Sequence, residues 1–225
     1  MEQYEITIIG TQPLFMHHDD VEWSDQMELW KNNKDNKSLS KAGDDRSPAW
    51  RWLGNLYHDN ARVVMPTANI MKNLMEAGAS VLVPGGKSGK TFKAQSQSGI
   101  MPREPYWPVF VGQKYDKEIP VDRVLKLMNE KDFEIHKQVA IDHGFKLDVR
   151  RAKIGASKHV RVRPWFQRWS IKGVLVVIDE QISESVMVDL LEIGGKFKGL
   201  GDYRPSSPKS PGPHGTFRAE IQRVD

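Results

Sequence analysis

The sequence predicts an α+β domain with an antiparallel sheet, and three observations support this fold class. Two segments, residues 65–79 and 183–195, repeat apolar side chains at the spacings of an amphipathic helix. Strand-like segments precede, separate and follow them, in the order strand, helix, strand, long insertion, strand, helix, strand. Hairpin candidates connect the strands, whereas a parallel sheet would need repeated strand–helix units.

The first strand and the first helix follow from the residue pattern. The β-branched residues of "YEITIIG" predict a mostly buried strand, which Gly10 and Pro13 end. In "MPTANIMKNLMEAGA" the helix begins at Pro66 or Thr67 and ends at Gly78. Its apolar residues recur at spacings of three and four, and they are Ile70, Met71, Leu74 and Met75.

We expect a single domain over residues 1–225 with three insertions, at about 19–46, 84–105 and 133–164. The first insertion is polar and predicts a mobile loop that contains one helical turn. After it, Ser47 is the expected cap of a short helix whose first position is Pro48. The second insertion is expected to be a loop.

The rest of the chain supplies the remaining elements. Before the second helix we expect a short strand at residues 106–111, a short helix at 120–130 and three extended segments at 133–141, 146–153 and 161–178. Ser183 caps the second helix, and Gly194 or Gly195 ends it. The last strand alternates the apolar residues Phe217, Ala219 and Ile221. This order is the β-α-β-β-α-β order of a ferredoxin-like, RRM-like fold with both helices on one face.

Composition excludes several classes of protein and of site. The chain is 39% hydrophobic and 28% charged and contains no cysteine, which rules out disulfides, thiolate zinc sites and a cysteine nucleophile. No run approaches the roughly 18 apolar residues of a membrane span, so we expect no membrane partner. Acidic residues in the opening "MEQYEITIIG" are unlike a secretory signal and predict a cytoplasmic protein. We expect neither a cofactor nor a metal.

A window without acidic residues, from Val149 to Ile178, predicts an anionic partner. Its eight cations are Arg150, Arg151, Lys153, Lys158, Arg161, Arg163, Arg168 and Lys172. Without a counter-charge these cations repel one another, which favours a bound nucleic acid over a solvated basic face. His159 and three aromatic residues interleave with them. On one continuous strand Trp165 and Trp169 would share a face with Arg163, which suits base stacking, while Phe166 would face the core.

The stretch "VPGGKSGKT" raises the alternative of a P-loop ATPase that would use Lys90 and, after the strand "VLVVI", Asp179. Pro84 stands where the first glycine of that motif belongs, and "FKAQSQSGIMP" leaves no room for a helix of normal length. We therefore favour a flexible basic loop whose three lysines contact phosphates, namely Lys87, Lys90 and Lys93.

A glycine-rich stretch near the carboxyl end carries a resemblance to a known family. The stretch "GGKFKGLGDYRPSSPKSPGPHGTFRAEI" follows the second helix and leads into the last strand. It resembles the glycine-rich loop of the RAMP superfamily, the repeat-associated RNA-binding proteins of CRISPR effector complexes. The spacer "PSSPKSP" is longer than in the compact family pattern, and "GPHG" stands where an aromatic is common. Alternatively, these glycines only make turns.

The resemblance implies a backbone subunit that grips a guide-like, single-stranded RNA by its phosphates and assembles with its own copies and other subunits, in antiviral defence. The loop residues near RNA would be Gly199, Gly201, Arg204, Gly212 and Gly215. The insertion at 133–164 would resemble the thumb that such subunits push between nucleotides. From the basic window, the predicted RNA-binding residues are Arg150, Arg151, Lys153, Lys158, His159, Arg161, Arg163 and Trp165.

Catalysis is not expected, but "MHHDD" leaves an enzymatic alternative open. Some RAMP proteins carry a catalytic histidine near the first strand, so His17 or His18 is the candidate general base of a metal-independent endoribonuclease. His214, between two glycines, is a weaker candidate for catalysis or for an RNA contact. A last alternative is a protein that anneals single-stranded DNA, which the basic window would serve equally well.

Overall fold

A computed structural model describes residues 1–86 and 89–224, which form two compact units. Unit 1 comprises the described residues within 1–14, 64–118 and 167–225, and unit 2 comprises residues 15–63 and 119–166. The predicted insertions at 19–46 and 133–164 therefore lie in unit 2, whereas the described part of 84–105 lies in unit 1.

The described chain has an α+β composition. Its strands are β1 Glu2–Gly10, β2 Leu14–Phe15, β3 Val64–Pro66, β4 Ile100–Pro102, β5 Tyr106–Val111, β6 Lys117–Glu118, β7 Lys146–Ile154, β8 Ser157–Phe166, β9 Ser170–Val177 and β10 Phe217–Val224. Its α-helices are α1 Val21–Asn32, α2 Thr67–Gly78, α3 Lys93–Ser98, α4 Asp122–Leu125, α5 Phe133–Asp142 and α6 Glu184–Ile193. Short 3-10 helices are Lys34–Asn36, Ala49–Asn55 and Lys126–Asn129, and a π-helical turn, Gly194–Lys198, follows α6.

Unit 1 is built on an antiparallel sheet with the strand order β10-β1-β9-β5-β3. β4 also pairs with β9, and β6 pairs with β5. The interior strand β1 buries Tyr4, Ile6 and Ile8 and exposes the intervening Glu5, as its alternating sequence requires. Helices α2 and α6 contact each other and bury their own apolar residues, so the core of unit 1 joins helices and sheet.

Unit 2 contains a three-stranded sheet with the order β2-β8-β7. Its core is aromatic: the ring of Phe145 lies 5.9 Å from that of Trp52 and 5.1 Å from that of Phe166 between centroids. Trp52 and Phe166 are fully buried, which confirms the core position predicted for Phe166. Large rings provide much of the buried apolar area that stabilises a unit of this size.

Segments with strong local signals form the predicted elements. Helix α2 spans Thr67–Gly78, and α6 is capped by Ser183, whose hydroxyl accepts from the Val186 N–H at 3.4 Å. The strands predicted at residues 4–10, 106–111 and 146–153 are present as β1, β5 and β7. Strand β10 buries or half-buries Phe217, Ala219 and Ile221 while exposing the residues between them, as the alternation predicted.

The prediction of an extended segment at residues 133–141 is wrong, because this segment is the helix α5. The Asp132 side chain caps α5 by accepting from the Glu134 N–H at 2.9 Å. His136, Val139 and Ala140 are buried at spacings of three and four, which is one face of a helix. The β-branched residues of this short segment favour a strand, but burial of one helical face within unit 2 outweighs that preference.

Four smaller corrections concern insertions and caps. Residues 21–32 form three turns of helix where one turn was expected, because Asp20 caps them by accepting from two backbone N–H groups. The segment 93–102 contains α3 and β4 where a loop was expected. Pro48, not Ser47, occupies the N-cap of the short helix, which is a 3-10 helix. The extended run predicted over 161–178 breaks between β8 and β9, so Trp165 and Trp169 do not share one strand face.

Candidate nucleic-acid interface

The predicted basic window forms, for the most part, a β-hairpin in unit 2. Strands β7 and β8 pair in antiparallel register from Lys146 opposite Trp165 to Ile154 opposite Ser157. The register sets two like-charged pairs directly opposite each other, Arg150 with Arg161 and Lys153 with Lys158. Like charges at this cross-strand distance destabilise a sheet unless a counter-charge compensates them.

Asp45 supplies the counter-charge for one end of the hairpin. Asp45 is 2% exposed, and its carboxylate lies 2.9 Å from the Arg161 guanidinium, 3.2 Å from that of Arg51 and 3.8 Å from that of Arg163. The same carboxylate accepts from the Val162 N–H at 3.3 Å. Arg161 and Arg163, both predicted to bind RNA, therefore hold the hairpin to the segment that contains Asp45.

Cation–π contacts engage two more of the predicted RNA-binding residues, Arg150 and Trp165. The Arg150 guanidinium carbon lies 4.8 Å from the Phe15 ring centroid, and Arg150 is also ion-paired with Asp148. The Lys146 ammonium lies 5.4 Å from the centroid of Trp165, which is half-buried. His159 is half-buried against the backbone of Gly43. These side chains are occupied by contacts within unit 2, so none presents a fully open ring or charge.

Three of the predicted cations remain open, and we call them the hairpin cations: Arg151, Lys153 and Lys158. All three are exposed, and no ion pair reaches them from the residues that the structure describes. Because side chains alternate along a strand and Lys153 stands opposite Lys158, the three project from one face of the hairpin. Positive charge therefore concentrates on one face near the turn at Gly155, where φ is +59°.

The glycine-rich loop of unit 1 needs glycine at specific positions. Gly199, Gly201 and Gly215 adopt positive φ values of 69°, 75° and 68°. A Cβ on Gly215 would lie 1.8 Å from the Leu200 carbonyl oxygen, which is a steric clash. A Cβ on Gly212 would lie 2.6 Å from the Tyr203 carbonyl oxygen. The loop therefore brings backbone close to backbone.

Two residues of α2 hold the loop in place. The buried Asn73 amide donates to the carbonyl oxygens of Gly194 and Gly199 at 3.1 and 2.8 Å. Glu76 lies 3.5 Å from the Arg204 guanidinium, whose side chain is 18% exposed, and it accepts from the Ser206 hydroxyl at 2.6 Å. Arg204 also donates to the Gly201 carbonyl oxygen at 3.3 Å. Arg204 thus supports the loop from inside, although the sequence suggested that it faces RNA.

His18 lies in a cluster of titratable side chains in unit 2 that the sequence did not reveal. Its Nδ1 is 3.6 Å from Asp20 Oδ2, and its ring centroid is 4.7 Å from that of Tyr57. Burial lowers the pKa of the neighbouring His58, an effect that His18 reinforces and Asp20 opposes. The Tyr57 hydroxyl donates to the His17 carbonyl oxygen at 3.1 Å. We call His18, Asp20, Tyr57 and His58 the histidine cluster.

The other candidate residues lie in unit 1. His214 is half-buried in the glycine-rich loop, where its backbone N–H donates to the Tyr203 carbonyl oxygen at 3.3 Å. Lys90 is exposed, and its carbonyl oxygen accepts from the Val83 N–H. Asp179 accepts from the Gln181 N–H at 2.8 Å. The helix after Lys90 has six residues and begins at Lys93, and Lys87 lies outside the described residues. The ATPase alternative stays a prediction.

On β1 and β9, the open face of the unit 1 sheet has none of the aromatic residues on which RRM domains stack bases. Its aromatics, Tyr106 and Phe110, stand on the neighbouring β5, where the Lys172 ammonium lies 5.5 Å from the Phe110 ring centroid. The residues of β1 and β9 that alternate with the buried ones are Gln3, Glu5, Thr7, Ile9, Lys172, Val174 and Val176. Acidic and basic residues mix on this face, so its central strands offer neither a stacking surface nor a continuous cationic one.

Within residues 1–86 and 89–224, no group of three or more histidine, aspartate or glutamate side chains is arranged to hold a metal ion. None of the helices in this part of the chain is long and apolar enough to cross a bilayer. No protein-family model and no curated protein matches the sequence.

Proposed function

We propose that the chain binds single-stranded RNA through phosphate contacts, without reading its sequence, as a subunit of a ribonucleoprotein assembly. The observation that carries this proposal is the concentration of the hairpin cations, Arg151, Lys153 and Lys158, on one face with no ion pair from the described residues. Neighbouring cations that lack a counter-charge favour binding to a polyanion, because each phosphate contact relieves their repulsion and releases counterions.

Two features of unit 1 add support. We propose that its strand order, β10-β1-β9-β5 with α2 and α6 as crossovers, is a ferredoxin-like arrangement in which β9 is inserted between the parallel β1 and β5. The glycine-rich loop lies between α6 and β10, where RAMP proteins carry theirs, and its backbone is fixed by α2. Together with the hairpin, these features favour a RAMP-like subunit that assembles with copies of itself and other proteins along a guide-like RNA.

The direct test is RNA binding by a variant of the hairpin cations. We expect Arg151→Gln/Lys153→Gln/Lys158→Gln to bind a fluorescein-labelled single-stranded RNA at least tenfold more weakly than the wild type at low salt. Because three phosphate contacts are lost, the negative slope of log affinity against log salt concentration should become shallower by about 2. The matched control, Lys31→Gln/Lys34→Gln/Lys37→Gln, removes three exposed charges from the same unit and should bind normally.

Competition with a DNA strand of the same sequence separates this proposal from a DNA-annealing function. Equal competition would favour DNA annealing, and a wild-type protein that ignores single-stranded RNA at low salt would contradict the proposal. RNA that copurifies at a fixed stoichiometry would identify the guide and support the assembly.

The histidine cluster favours a second candidate function, a metal-independent endoribonuclease. In this reaction the neutral His58 removes the proton of an RNA 2′-hydroxyl, whose oxygen attacks the adjacent phosphorus. His18, whose Nδ1 lies 3.6 Å from Asp20 Oδ2, is the general acid and donates a proton to the departing 5′-oxygen, which leaves a 2′,3′-cyclic phosphate and a 5′-hydroxyl. Lowered pKa keeps His58 neutral, as the base requires.

Incubation of a hairpin RNA with the protein in EDTA tests this second function. Cleavage should be lost in His18→Ala and His58→Ala and retained in His17→Ala, whose exposed side chain lies next to the cluster. RNA that stays intact with the wild type across pH 5 to 8 would remove the endoribonuclease and leave RNA binding as the function.

A further inference from the structure

Phe197 is the most exposed aromatic side chain in the part of the chain that the structure describes. It is 64% exposed, against 48% for Tyr106, and the remaining described aromatics are half-buried or buried. Phe197 is the fourth residue of the π-helical turn Gly194–Lys198, at the entrance to the glycine-rich loop. Single π-helical turns are rare and occur often at functional sites.

The backbone under Phe197 is fixed on both sides. The Gly199 N–H donates to the Gly194 carbonyl oxygen at 2.8 Å, and Asn73 donates to both of these residues' carbonyl oxygens. A Cβ on Gly194 would lie 2.2 Å from the Asn73 side chain, and one on Gly195 would lie 2.2 Å from the Phe217 carbonyl oxygen. The turn is therefore pre-organised, and a ligand that meets the ring need not order the backbone first.

The two residues that flank Phe197 in the sequence are positively charged. Lys196 and Lys198 flank it in the sequence "KFK". The Lys196 ammonium lies 3.6 Å from Glu192, but both side chains are more than 60% exposed, where such pairs contribute little. Lys198 makes one long contact of 3.4 Å with the Ser80 hydroxyl. An exposed ring between two cations complements a chain that carries both bases and phosphates.

We infer that Phe197 stacks on a nucleobase of single-stranded RNA while Lys196 and Lys198 contact the adjoining phosphates. This inference rests on the proposed RNA-binding function and adds to it a second contact, of a different kind from the phosphate contacts of the hairpin. Because every base has a π-face, such a stacking contact raises affinity without selecting a sequence.

The test compares two probes that differ only in their bases: a fluorescein-labelled 12-nucleotide oligouridine and an abasic ribose-phosphate oligomer of equal length. Phe197→Ala should weaken binding of the oligouridine about 5-fold to 140-fold, the range of a single base–aromatic stack. It should leave affinity for the abasic oligomer within about twofold of the wild type, because phosphate contacts alone remain. Phe197→Trp should retain oligouridine binding, and Phe197→Leu should not restore it fully.

Tyr106→Ala is the matched control, since it removes another exposed aromatic of unit 1 and should change neither affinity. If the wild type binds oligouridine and Phe197→Ala binds it equally well, the stacking inference fails and the proposed function stands. An equal loss for the abasic oligomer also overturns it, because the ring would then act on the fold and not on a base. If the wild type binds neither oligomer at low salt, the proposed function fails and the inference fails with it.

Discussion

Asp45 and Arg161 are 116 positions apart in the sequence, and their side chains meet at 2.9 Å. The carboxylate is buried, and it draws Arg51 and Arg163 to it as well. This one acid divides the basic window by function: the arginines around it stabilise unit 2, and the hairpin cations beyond it stay available to a ligand.

Loss of the Asp45 charge should destabilise unit 2 strongly. Asp45→Asn leaves the three guanidinium groups without their shared partner, and removal of one member of a buried ion pair typically costs about 3–5 kcal/mol. Because the arginines are partly exposed, we expect about 2–3 kcal/mol here. Urea unfolding at pH 7 measures the loss.

The control for Asp45 is Glu134→Gln, which removes the acid of an exposed pair with Lys137 and should change the free energy of unfolding by less than about 1 kcal/mol. Equal effects of the two substitutions would show that the Asp45 cluster is not an organising contact of unit 2.

The secondary-structure elements with strong local sequence signals were predicted correctly. Helix α2 repeats apolar residues over its whole length, and α6 has a serine cap and terminal glycines, so both were predicted close to their bounds. Helix α5 was missed because its short segment is rich in residues with strand preference, and only the Asp132 cap indicated a helix. Tertiary burial decides such segments.

For the candidate site, sequence reasoning grouped the cationic residues but could not identify the partners that the fold brings to them. A window of sequence shows that residues 149–178 lack acids, but it cannot show that Asp45 reaches Arg161 from another segment. The proximity of His58 to His18 likewise depends on the fold. A sequence signal for Phe197 did exist, namely the "KFK" between glycines. An aromatic residue flanked by lysines and glycines is a candidate for an exposed ring.

Asn73 should control the order of the glycine-rich loop. Asn73→Ala leaves the Gly194 and Gly199 carbonyl oxygens without their buried donor, which we expect to cost about 2 kcal/mol of stability. Because the loop loses its support from α2, limited proteolysis should cut residues 199–216 faster than in the wild type. Asn69→Ala, in the same helix, removes only a weak hydrogen bond to the Met65 sulfur and should leave the cleavage rate unchanged.

Gly215 should tolerate no side chain, and the chain contains a control for the backbone effect alone. Gly85 has nearly the same φ, +66° against +68°, but open space surrounds its Cβ position. Gly85→Ala therefore measures the cost of positive φ, about 1 kcal/mol. Gly215→Ala adds a contact of 1.8 Å with the Leu200 carbonyl oxygen, so we expect a total of about 3 kcal/mol or more. Thermal unfolding compares the two, and similar melting temperatures would contradict the close approach at Gly215.

His136 should make the stability of the protein fall in mild acid. Its imidazole is fully buried, and Nδ1 accepts from the Trp52 indole N–H at 3.0 Å, which leaves Nε2 to donate to the Glu130 carbonyl oxygen at 3.0 Å. Burial lowers the pKa of His136, although the hydrogen bond to Glu130 opposes the shift. A second proton would also sit on Nδ1, facing the indole N–H.

The sign of the pH effect follows from the direction of this shift. The unfolded chain takes up a proton at the ordinary histidine pKa of about 6.5, while the folded chain resists protonation to lower pH. The contribution of neutral His136 to stability is therefore complete above about pH 6.5 and is lost as the pH falls through the lowered pKa of the folded state. Between these values the free energy of unfolding falls by at most about 1.4 kcal/mol per pH unit on account of this residue.

Urea unfolding between pH 5 and 7 tests this dependence. His136→Gln removes the titrating group while its amide oxygen can still accept from Trp52, so its stability should depend less on pH than that of the wild type. Burial lowers the pKa of His58 as well, so the double variant His58→Gln/His136→Gln should have a flatter profile still. Parallel profiles for the wild type and His136→Gln would show that His136 accepts its proton in the folded state without cost, contrary to the geometry of its two hydrogen bonds.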